Sequence, residues 1–156
     1  MEMDFDRKVS VTPERDAPRP PDVLSQMTRV GIAIVRREGA ILVGIRDARA
    51  VLGGKHEFPG GKCFDGENAA DCAERECYEE TGLTITADSL LQRVEHIYDY
   101  GQLQLSFYLC HLSESSPSIP ATPFKWVPIN QLQTLNFPAA NQSAIELLQQ
   151  QFIEER

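Results

Sequence analysis

Apolar residues follow strand-like and helix-like spacings in turn along this chain, and their order predicts an α/β fold. Strand-like runs occur at residues 30–35, 41–45, 56–58, 90–100, 103–112 and 124–127. Helical spacing occurs at residues 69–81 and 138–155, with a single helical turn at 128–132. Because strands precede and follow the central helix and a second helix ends the chain, the pattern predicts a mixed β-sheet between helical layers.

The predicted helix at 69–81 has a signal at each end. Asn68 is the predicted N-cap, with Asp71 at the third helical position beside the free backbone N–H groups. Gly82 suits the left-handed conformation in which many helices end. These signals predict a helix of about three to four turns.

Three carboxylates crowd one face of this helix. At 100° per residue, Glu76, Glu79 and Glu80 fall within an arc of roughly 100°. Like charges at this spacing repel each other, and a hard divalent cation such as Mg²⁺ would relieve the repulsion. Arg75 lies beside the arc and is able to hold a carboxylate by paired hydrogen bonds. A solvated acidic face is the alternative interpretation.

Composition and charge limit the classes of function that remain open. The chain has 156 residues, of which 42% are hydrophobic, and this suits one globular domain with its own core. The formal net charge of −8 argues against binding to long nucleic acid, because such proteins need basic patches that displace counterions. No run approaches about 18 apolar residues, and no signal-peptide pattern begins the chain. The sequence therefore predicts no membrane association and a cytoplasmic location.

Two further features concern the N-terminus and the cysteines. Residues 1–26 are rich in charge and proline, so we expect a flexible extension ahead of a domain spanning 27–156. The cysteines at positions 63, 72, 77 and 110 include no Cys-x-x-Cys pair, and no histidine lies at zinc-ligand spacing. The sequence therefore predicts reduced, structural thiols.

The central helix and the turn before it resemble the Nudix box, the sequence signature of the Nudix hydrolases. The box has the pattern G-x5-E-x7-R-E-U-x-E-E-x-G-U, in which U is a bulky aliphatic residue. Its fixed positions are matched at the required spacing by Gly61, Glu67, Arg75, Glu76, Glu79, Glu80, Gly82 and Leu83. Cys77 replaces one aliphatic residue with a smaller hydrophobic side chain. The resemblance covers about residues 28–153 and implies a Nudix-like α/β/α sandwich with a mixed sheet between helices.

Within the family, residues 54–62 and 137–141 are similar to MutT-type enzymes, which hydrolyse oxidised purine nucleoside triphosphates. The resemblance implies that Asn141 reads the edge of the base and that Phe58 lies in the base pocket. It also implies that Arg46 lies near the phosphates or the sugar. Plainer interpretations stay open: a polar residue at a helix start, a core phenylalanine and a surface arginine.

The resemblance also implies a metal-assisted mechanism. Glu76, Glu79 and Glu80 would hold Mg²⁺, with Mn²⁺ as the alternative cation, and the carbonyl of Gly60 would join them. Glu67 would contribute through water molecules or would lock the arginine that precedes Glu76.

The implied reaction converts a nucleoside triphosphate such as 8-oxo-dGTP into a nucleoside monophosphate and pyrophosphate. Glu76 or Glu79 would accept the proton of the attacking water, Arg75 would support these carboxylates, and Lys62 would neutralise phosphate charge. The expected partner is a small nucleoside triphosphate, and the choice between monomer and dimer stays open.

Other functions remain compatible with the box. A Nudix hydrolase of CTP analogues, dinucleoside polyphosphates or sugar nucleotides is one alternative, and a non-catalytic nucleotide-binding regulatory domain is another. MutT-type proteins also carry a further glutamate in the loop before the last strand, and residues 115–125 contain no acid here. The number of metal ions therefore stays open.

Overall fold

A computed structural model describes residues 27–50, 52–98 and 101–154 of the chain. The predicted extension at 1–26, and the predicted element ends at residues 99–100 and 155, lie outside this part. Within these described residues, seven strands and two α-helices follow in the order β1 Met27–Arg37, β2 Ala40–Ile45, β3 His56–Glu57, β4 Gly60–Lys62, α1 Ala69–Thr81, β5 Ile85–Tyr98, β6 Gly101–Leu112, β7 Lys125–Pro128 and α2 Gln142–Glu154. Two 3₁₀ turns, Ile129–Thr134 and Ala139–Asn141, join β7 to α2.

The strands form one mixed sheet, as the sequence predicts. Its main order is β3-β2-β1-β6-β5, with β4 paired to β1 and β7 paired to β2. β1 and β6 are parallel over their whole length, from Met27 opposite Gln102 to Arg36 opposite His111. The remaining pairs are antiparallel. β1 is the central strand of the sheet because it pairs with β2, β4 and β6.

Side chains alternate across β1 and divide the core into two layers. Ile32 and Ile34 belong to a cluster that includes Ile145 and Leu148 of α2. The neighbouring residues Ala33 and Val35 belong to a second cluster that includes buried residues of α1. Because successive side chains of a strand point to opposite faces, α1 covers one face of the sheet and α2 the other. The predicted α/β/α sandwich is confirmed.

Local differences from the predicted elements have identifiable causes. β5 begins at Ile85 rather than at residue 90, and register shifts at Ala87/Ser89 and Leu90/Gln92 break the alternation that marks a strand. Residues 60–62 were expected as a turn, yet they pair with β1 as β4 because their glycines allow close approach. The last helix begins at Gln142 rather than at residue 138, after a separate 3₁₀ turn.

Helix α1 has the predicted boundaries and caps. The Asn68 side chain accepts a hydrogen bond from the backbone N–H of Asp71 at 2.8 Å. Gly82 has φ 77°, and its N–H donates to the carbonyl of Tyr78. No helix of the described residues is long and apolar enough to cross a membrane.

α1 lies so close to β1 that there is no room for a side chain at Gly31. A Cβ atom at this position would lie 2.8 Å from the backbone nitrogen of Ala73 and 2.9 Å from the Cβ of Cys72. Contacts of this kind involve backbone that is held by the helix and therefore cannot rotate away.

We predict that Gly31→Ala lowers the free energy of unfolding by about 1–3 kcal/mol, because the added methyl group overpacks the contact between helix and sheet. Chemical denaturation measures this change, with Thr28→Ala at the beginning of the same strand as the control. A change within about 0.5 kcal/mol, which is typical of surface substitutions, would contradict the close contact.

Candidate active site

Arg75 holds together the carboxylates that the sequence places on α1. Its Nε and Nη2 atoms donate to the two oxygens of Glu67, at 2.8 and 3.0 Å. Its Nη1 atom donates to Glu76 at 2.9 Å and to Glu79 at 3.1 Å. Its Nη2 atom also reaches the carbonyl of Lys62 at 3.0 Å, which ties α1 to β4. Arg75 therefore balances three acids, where the sequence indicated a pair with one.

Glu67 is oriented from both sides. Its Oε1 atom accepts the backbone N–H of Phe64 at 2.9 Å, and the ring of Phe64 lies 3.8 Å from the guanidinium carbon of Arg75. The hydrogen bonds from Arg75 are the main reason that the pKa of Glu67 falls from its ordinary value of 4.5 to about 2. Glu67 is thus an ionised anchor for the arginine.

Glu80 has a different environment from its neighbours on the helix. Its carboxylate accepts the backbone N–H of Gly60 at 3.1 Å. Desolvation and then the charges of Glu57, Glu76 and Glu79 raise the pKa of Glu80 above its ordinary value of 4.5, and the Gly60 bond opposes the rise. The residue as a whole is exposed, so water moderates this effect. Desolvation is the larger cause of the raised pKa, and the neighbouring carboxylates add to it.

A cavity of about 300 Å³ brings most of the predicted site residues together. From β4 and α1, the lining includes Gly60, Lys62, Glu76 and Glu80. From the rest of the chain, it includes Arg46, Phe58 and Asn141. Three predicted site residues do not line the cavity, namely Glu67, Arg75 and Glu79. Arg75 contacts the lining through its hydrogen bonds to Glu76 and to the Lys62 carbonyl, and Glu67 and Glu79 are bound to Arg75.

Asn141 lies in the same cavity as the carboxylates, although it is remote from them in sequence. It ends the 3₁₀ turn Ala139–Asn141, and its backbone N–H donates to the carbonyl of Pro138 at 3.0 Å. The residue is 9% exposed, and its side-chain amide makes no hydrogen bond to the described residues. Because Asn141 lines the cavity, its amide presents a donor and an acceptor to a ligand there.

The glycines of β4 shape the acidic side of the cavity. A Cβ atom on Gly61 would collide with the carboxylate of Glu76, so the absence of a side chain lets this acid lie against the strand. A Cβ atom on Gly60 would lie 2.6 Å from the carbonyl oxygen of Gly31 and 2.9 Å from the Cα of Ile32. Gly60 therefore requires glycine because backbone occupies the space, whereas a side chain at position 61 would displace the carboxylate of Glu76.

Two polar residues at or behind the cavity wall, Glu57 and His56, were not predicted from the sequence. Glu57 lines the cavity and pairs with Arg46 at 3.2 Å, and burial raises its pKa. His56 exchanges two hydrogen bonds with Asn136: its N–H donates to the Asn136 carbonyl at 2.9 Å, and its Nδ1 atom accepts the Asn136 N–H at 3.2 Å. The sequence signal for Glu57 was its position between His56 and Phe58 in the predicted strand. His56 had no such signal, because its partner Asn136 lies 80 residues away.

The aromatic side of the cavity depends on the same two hydrogen bonds between His56 and Asn136. Phe137 follows the residue bound by His56, and its ring stacks on Phe58 with centroids 4.7 Å apart. Phe58 is 5% exposed, so it is a core residue and a cavity residue at once. β3 thus holds the segment that leads to Asn141.

Comparison with known proteins agrees with this fold. The family model of the NUDIX domain matches residues 30–147. The 8-oxo-dGTP diphosphatase of Escherichia coli strain K12 is 32% identical over 122 residues, which cover 77% of this chain and 95% of that protein. The enzyme of the same name from Buchnera aphidicola subsp. Acyrthosiphon pisum is 36% identical over 93 residues, 59% of this chain and 75% of that protein.

A solved structure supports the same relationship. The crystal structure of a MutT NUDIX hydrolase from Burkholderia pseudomallei has a TM-score of 0.62 and 26% identity, and the match covers 78% of this chain and 98% of that chain. The fold and the carboxylate-lined cavity define a hydrolase of the α/β/α sandwich class. The chain belongs to the Nudix family, and it is a Nudix pyrophosphohydrolase.

We predict that Glu67→Gln lowers the free energy of unfolding at pH 7 by about 1–3 kcal/mol, because the amide cannot replace the paired charged bonds to Arg75. The folded-state pKa of Glu67 is depressed, so its contribution is complete above the ordinary value of 4.5 and is lost as the pH falls towards about 2. The difference between the two proteins should shrink over that interval.

Denaturation in EDTA at several pH values measures this difference without metal binding. Glu146→Gln, a charge change at an exposed position on α2, is the control. A difference that stays constant from pH 7 down to pH 3 would show that the Arg75 pair does not stabilise the fold.

Proposed function

We propose that this Nudix hydrolase converts an oxidised purine nucleoside triphosphate, such as 8-oxo-dGTP, into a nucleoside monophosphate and pyrophosphate, with Mg²⁺ as cofactor. Such an activity would remove damaged precursors from the nucleotide pool. The supporting observation is that one cavity is lined both by acidic residues of α1 and by the unpaired amide of Asn141. The reacting phosphates and the base would therefore be bound within one site.

The carboxylates fit a hard divalent cation. Glu76 and Glu80 line the cavity, and Glu79 lies three residues after Glu76 on the same helix face and pairs with Arg75 at 3.1 Å. Glu80 carries a raised pKa that a cation would reverse. These three residues would hold Mg²⁺ or Mn²⁺, with the Gly60 carbonyl as a further oxygen ligand. When bound, the ion would neutralise phosphate charge and acidify a water molecule.

Among the two acids that the sequence offers as general base, the geometry favours Glu76. Glu76 lines the cavity and its side chain is 17% exposed, whereas Glu79 is 52% exposed and is not among the lining residues. A base must lie within hydrogen-bond reach of the water that it deprotonates. The hydrogen bond from Arg75 at 2.9 Å would hold Glu76 in a fixed orientation for this role.

The remaining lining residues would bind the nucleotide. Lys62 and Arg46 supply positive charge for phosphate oxygens, and Glu57 holds Arg46 in place. Phe58 offers an apolar surface to the base, and Asn141 offers a donor and an acceptor to its edge. Oxidation at C8 of guanine converts N7 from an acceptor to an N–H donor, so an amide is able to distinguish the two bases.

We predict that Glu76→Gln lowers kcat by ~10²-fold or more at saturating Mg²⁺, because it removes one strong transition-state contact while conserving shape. Glu74→Gln is the matched control, since Glu74 lies on the same helix but accepts the backbone N–H of Ala87 on β5. Pyrophosphate release from 8-oxo-dGTP measures the rates, and unchanged turnover of the Glu76 variant would refute its proposed role.

We predict that Asn141→Ala lowers kcat/KM for 8-oxo-dGTP by ~10-fold or more and for dGTP by less, because a lost base contact costs about 1–3 kcal/mol. Asn136→Ala, an exposed asparagine in the preceding segment, is the control. An equal loss on both triphosphates, or none, would contradict the selectivity for the oxidised base and leave the Nudix chemistry in place.

A further inference from the structure

A second group of ligand atoms lies beside Arg75. The Sγ atoms of Cys63 and Cys72 and a carboxylate oxygen of Glu67 are all within 4.8 Å of one another. Across residues 27–50, 52–98 and 101–154, this is the one set of three or more thiol, imidazole or carboxylate ligands with that spacing. None of the three residues is among those that line the cavity.

The fold assembles this cluster from three consecutive pieces of chain. Cys63 follows β4, is half-buried, and donates its backbone N–H to the carbonyl of Arg29 at 2.8 Å. Cys72 lies in the first turns of α1, is fully buried, and donates its thiol to the carbonyl of Gly61 at 3.2 Å. Glu67 lies between them in the connecting loop. The cysteines are nine residues apart, so their spacing alone gave no indication of a metal site.

The chemistry of these ligands selects a particular class of cation. Thiolates bind zinc-like cations strongly, whereas Mg²⁺ prefers oxygen ligands throughout. Zinc bonds of about 2.3 Å to sulfur and 2.0–2.2 Å to oxygen place tetrahedral ligand atoms about 3.5–3.8 Å apart. The three atoms therefore need to move by only about 1 Å, and water would supply the fourth ligand.

We propose that Cys63, Glu67 and Cys72 form a binding site for a thiophilic divalent cation of the zinc class. Each thiol releases its proton to solvent when the cation binds, and Cys72 gives up its bond to the Gly61 carbonyl. The divalent cation offsets two of the three negative charges that the two thiolates and the carboxylate carry. Arg75 supplies further positive charge, since its Nη2 atom lies 3.9 Å from the Cys72 sulfur, and it shares that charge with Glu76 and Glu79.

Occupation of the site acts on the carboxylates of α1 through Glu67. One Glu67 oxygen would move from Arg75 to the cation, and the guanidinium that holds Glu76 and Glu79 would lose part of its anchor. This consequence rests on the proposed function, because it assumes that those carboxylates act in catalysis. The cation would then be inhibitory.

Titration with Cd²⁺ tests binding without reference to catalysis, because cadmium thiolates have a sulfur-to-metal charge-transfer absorption that carboxylates lack. The full chain is used in excess Mg²⁺ with a thiol-free reductant, after mass spectrometry has confirmed four free thiols. We expect saturation at one equivalent, and an excess of Zn²⁺ should lower the band by competing with Cd²⁺ for the site. No band at one equivalent would overturn the proposal.

Variants locate the ligands. Cys63→Ser should weaken binding by ~10-fold or more, since even the loss of an indirect contact weakens metal sites by ~10–100-fold. Cys72→Ser should weaken binding by a similar factor. If this substitution at the buried Cys72 prevents folding, the result for Cys63→Ser alone tests the assignment. Cys77→Ala and Cys110→Ala remove buried thiols outside the cluster and should keep the band. A band that survives in Cys63→Ser, or is lost in both alanine variants, would overturn the assignment.

Pyrophosphate release with one equivalent of Zn²⁺ tests the inhibitory effect. We expect turnover to fall in the natural protein and to be spared in Cys63→Ser, whose substituted residue lies outside the catalytic cavity. If Cd²⁺ binds as described and turnover is unchanged, the coupling through Glu67 is wrong. If no triphosphate is hydrolysed under any condition, the proposed function fails while the binding result stands.

Discussion

The arrangement of the active site depends on the guanidinium of Arg75. A helix that carries several acids on one face is destabilised by their mutual repulsion, and Arg75 offsets that repulsion with hydrogen bonds to Glu67, Glu76 and Glu79. The planar fork of an arginine suits this task because it donates in several fixed directions at once. Its further bond to the Lys62 carbonyl fixes the helix relative to β4.

The second constraint is the close approach of α1 to the sheet. Gly31 leaves room for the backbone of the helix, and Gly61 leaves room for the carboxylate of Glu76. The same glycine-rich strand gives Glu80 a backbone N–H from Gly60. The acids are therefore held at the edge of a cavity by backbone as well as by side chains. A group of carboxylates held in this way has few ways to relax, which favours a defined geometry.

The opposite side of the cavity is assembled by contacts between distant parts of the chain. His56 on β3 binds Asn136, Phe58 stacks on Phe137, and the following 3₁₀ turn ends at Asn141. The arrangement of this side therefore depends on tertiary contacts between β3 with the adjoining Phe58 and the segment at residues 136–141. Acidic and amide groups that are more than sixty residues apart in sequence thus line one space.

The sequence by itself determined the local features of this protein. Interactions between residues a few positions apart determine the limits of α1 and its caps at Asn68 and Gly82. The acidic arc of the helix follows from the same short-range spacing. The alternation of apolar residues was also enough to predict a mixed sheet between helices. The resemblance to the Nudix box depends on the same short-range spacing, and the family relationship is confirmed.

Only the tertiary structure decided which of these residues meet. The sequence did not predict β4, because its glycines pair with β1 for steric rather than compositional reasons. The predicted start of β5 was five residues too late, because bulges interrupt the alternation of its side chains. The presence of Asn141 in the same cavity as Glu76 and Glu80 depends on how strands and helices pack across the sheet, and so does the position of Cys63 beside Cys72. Such contacts join residues of large sequence separation, and no local spacing encodes them.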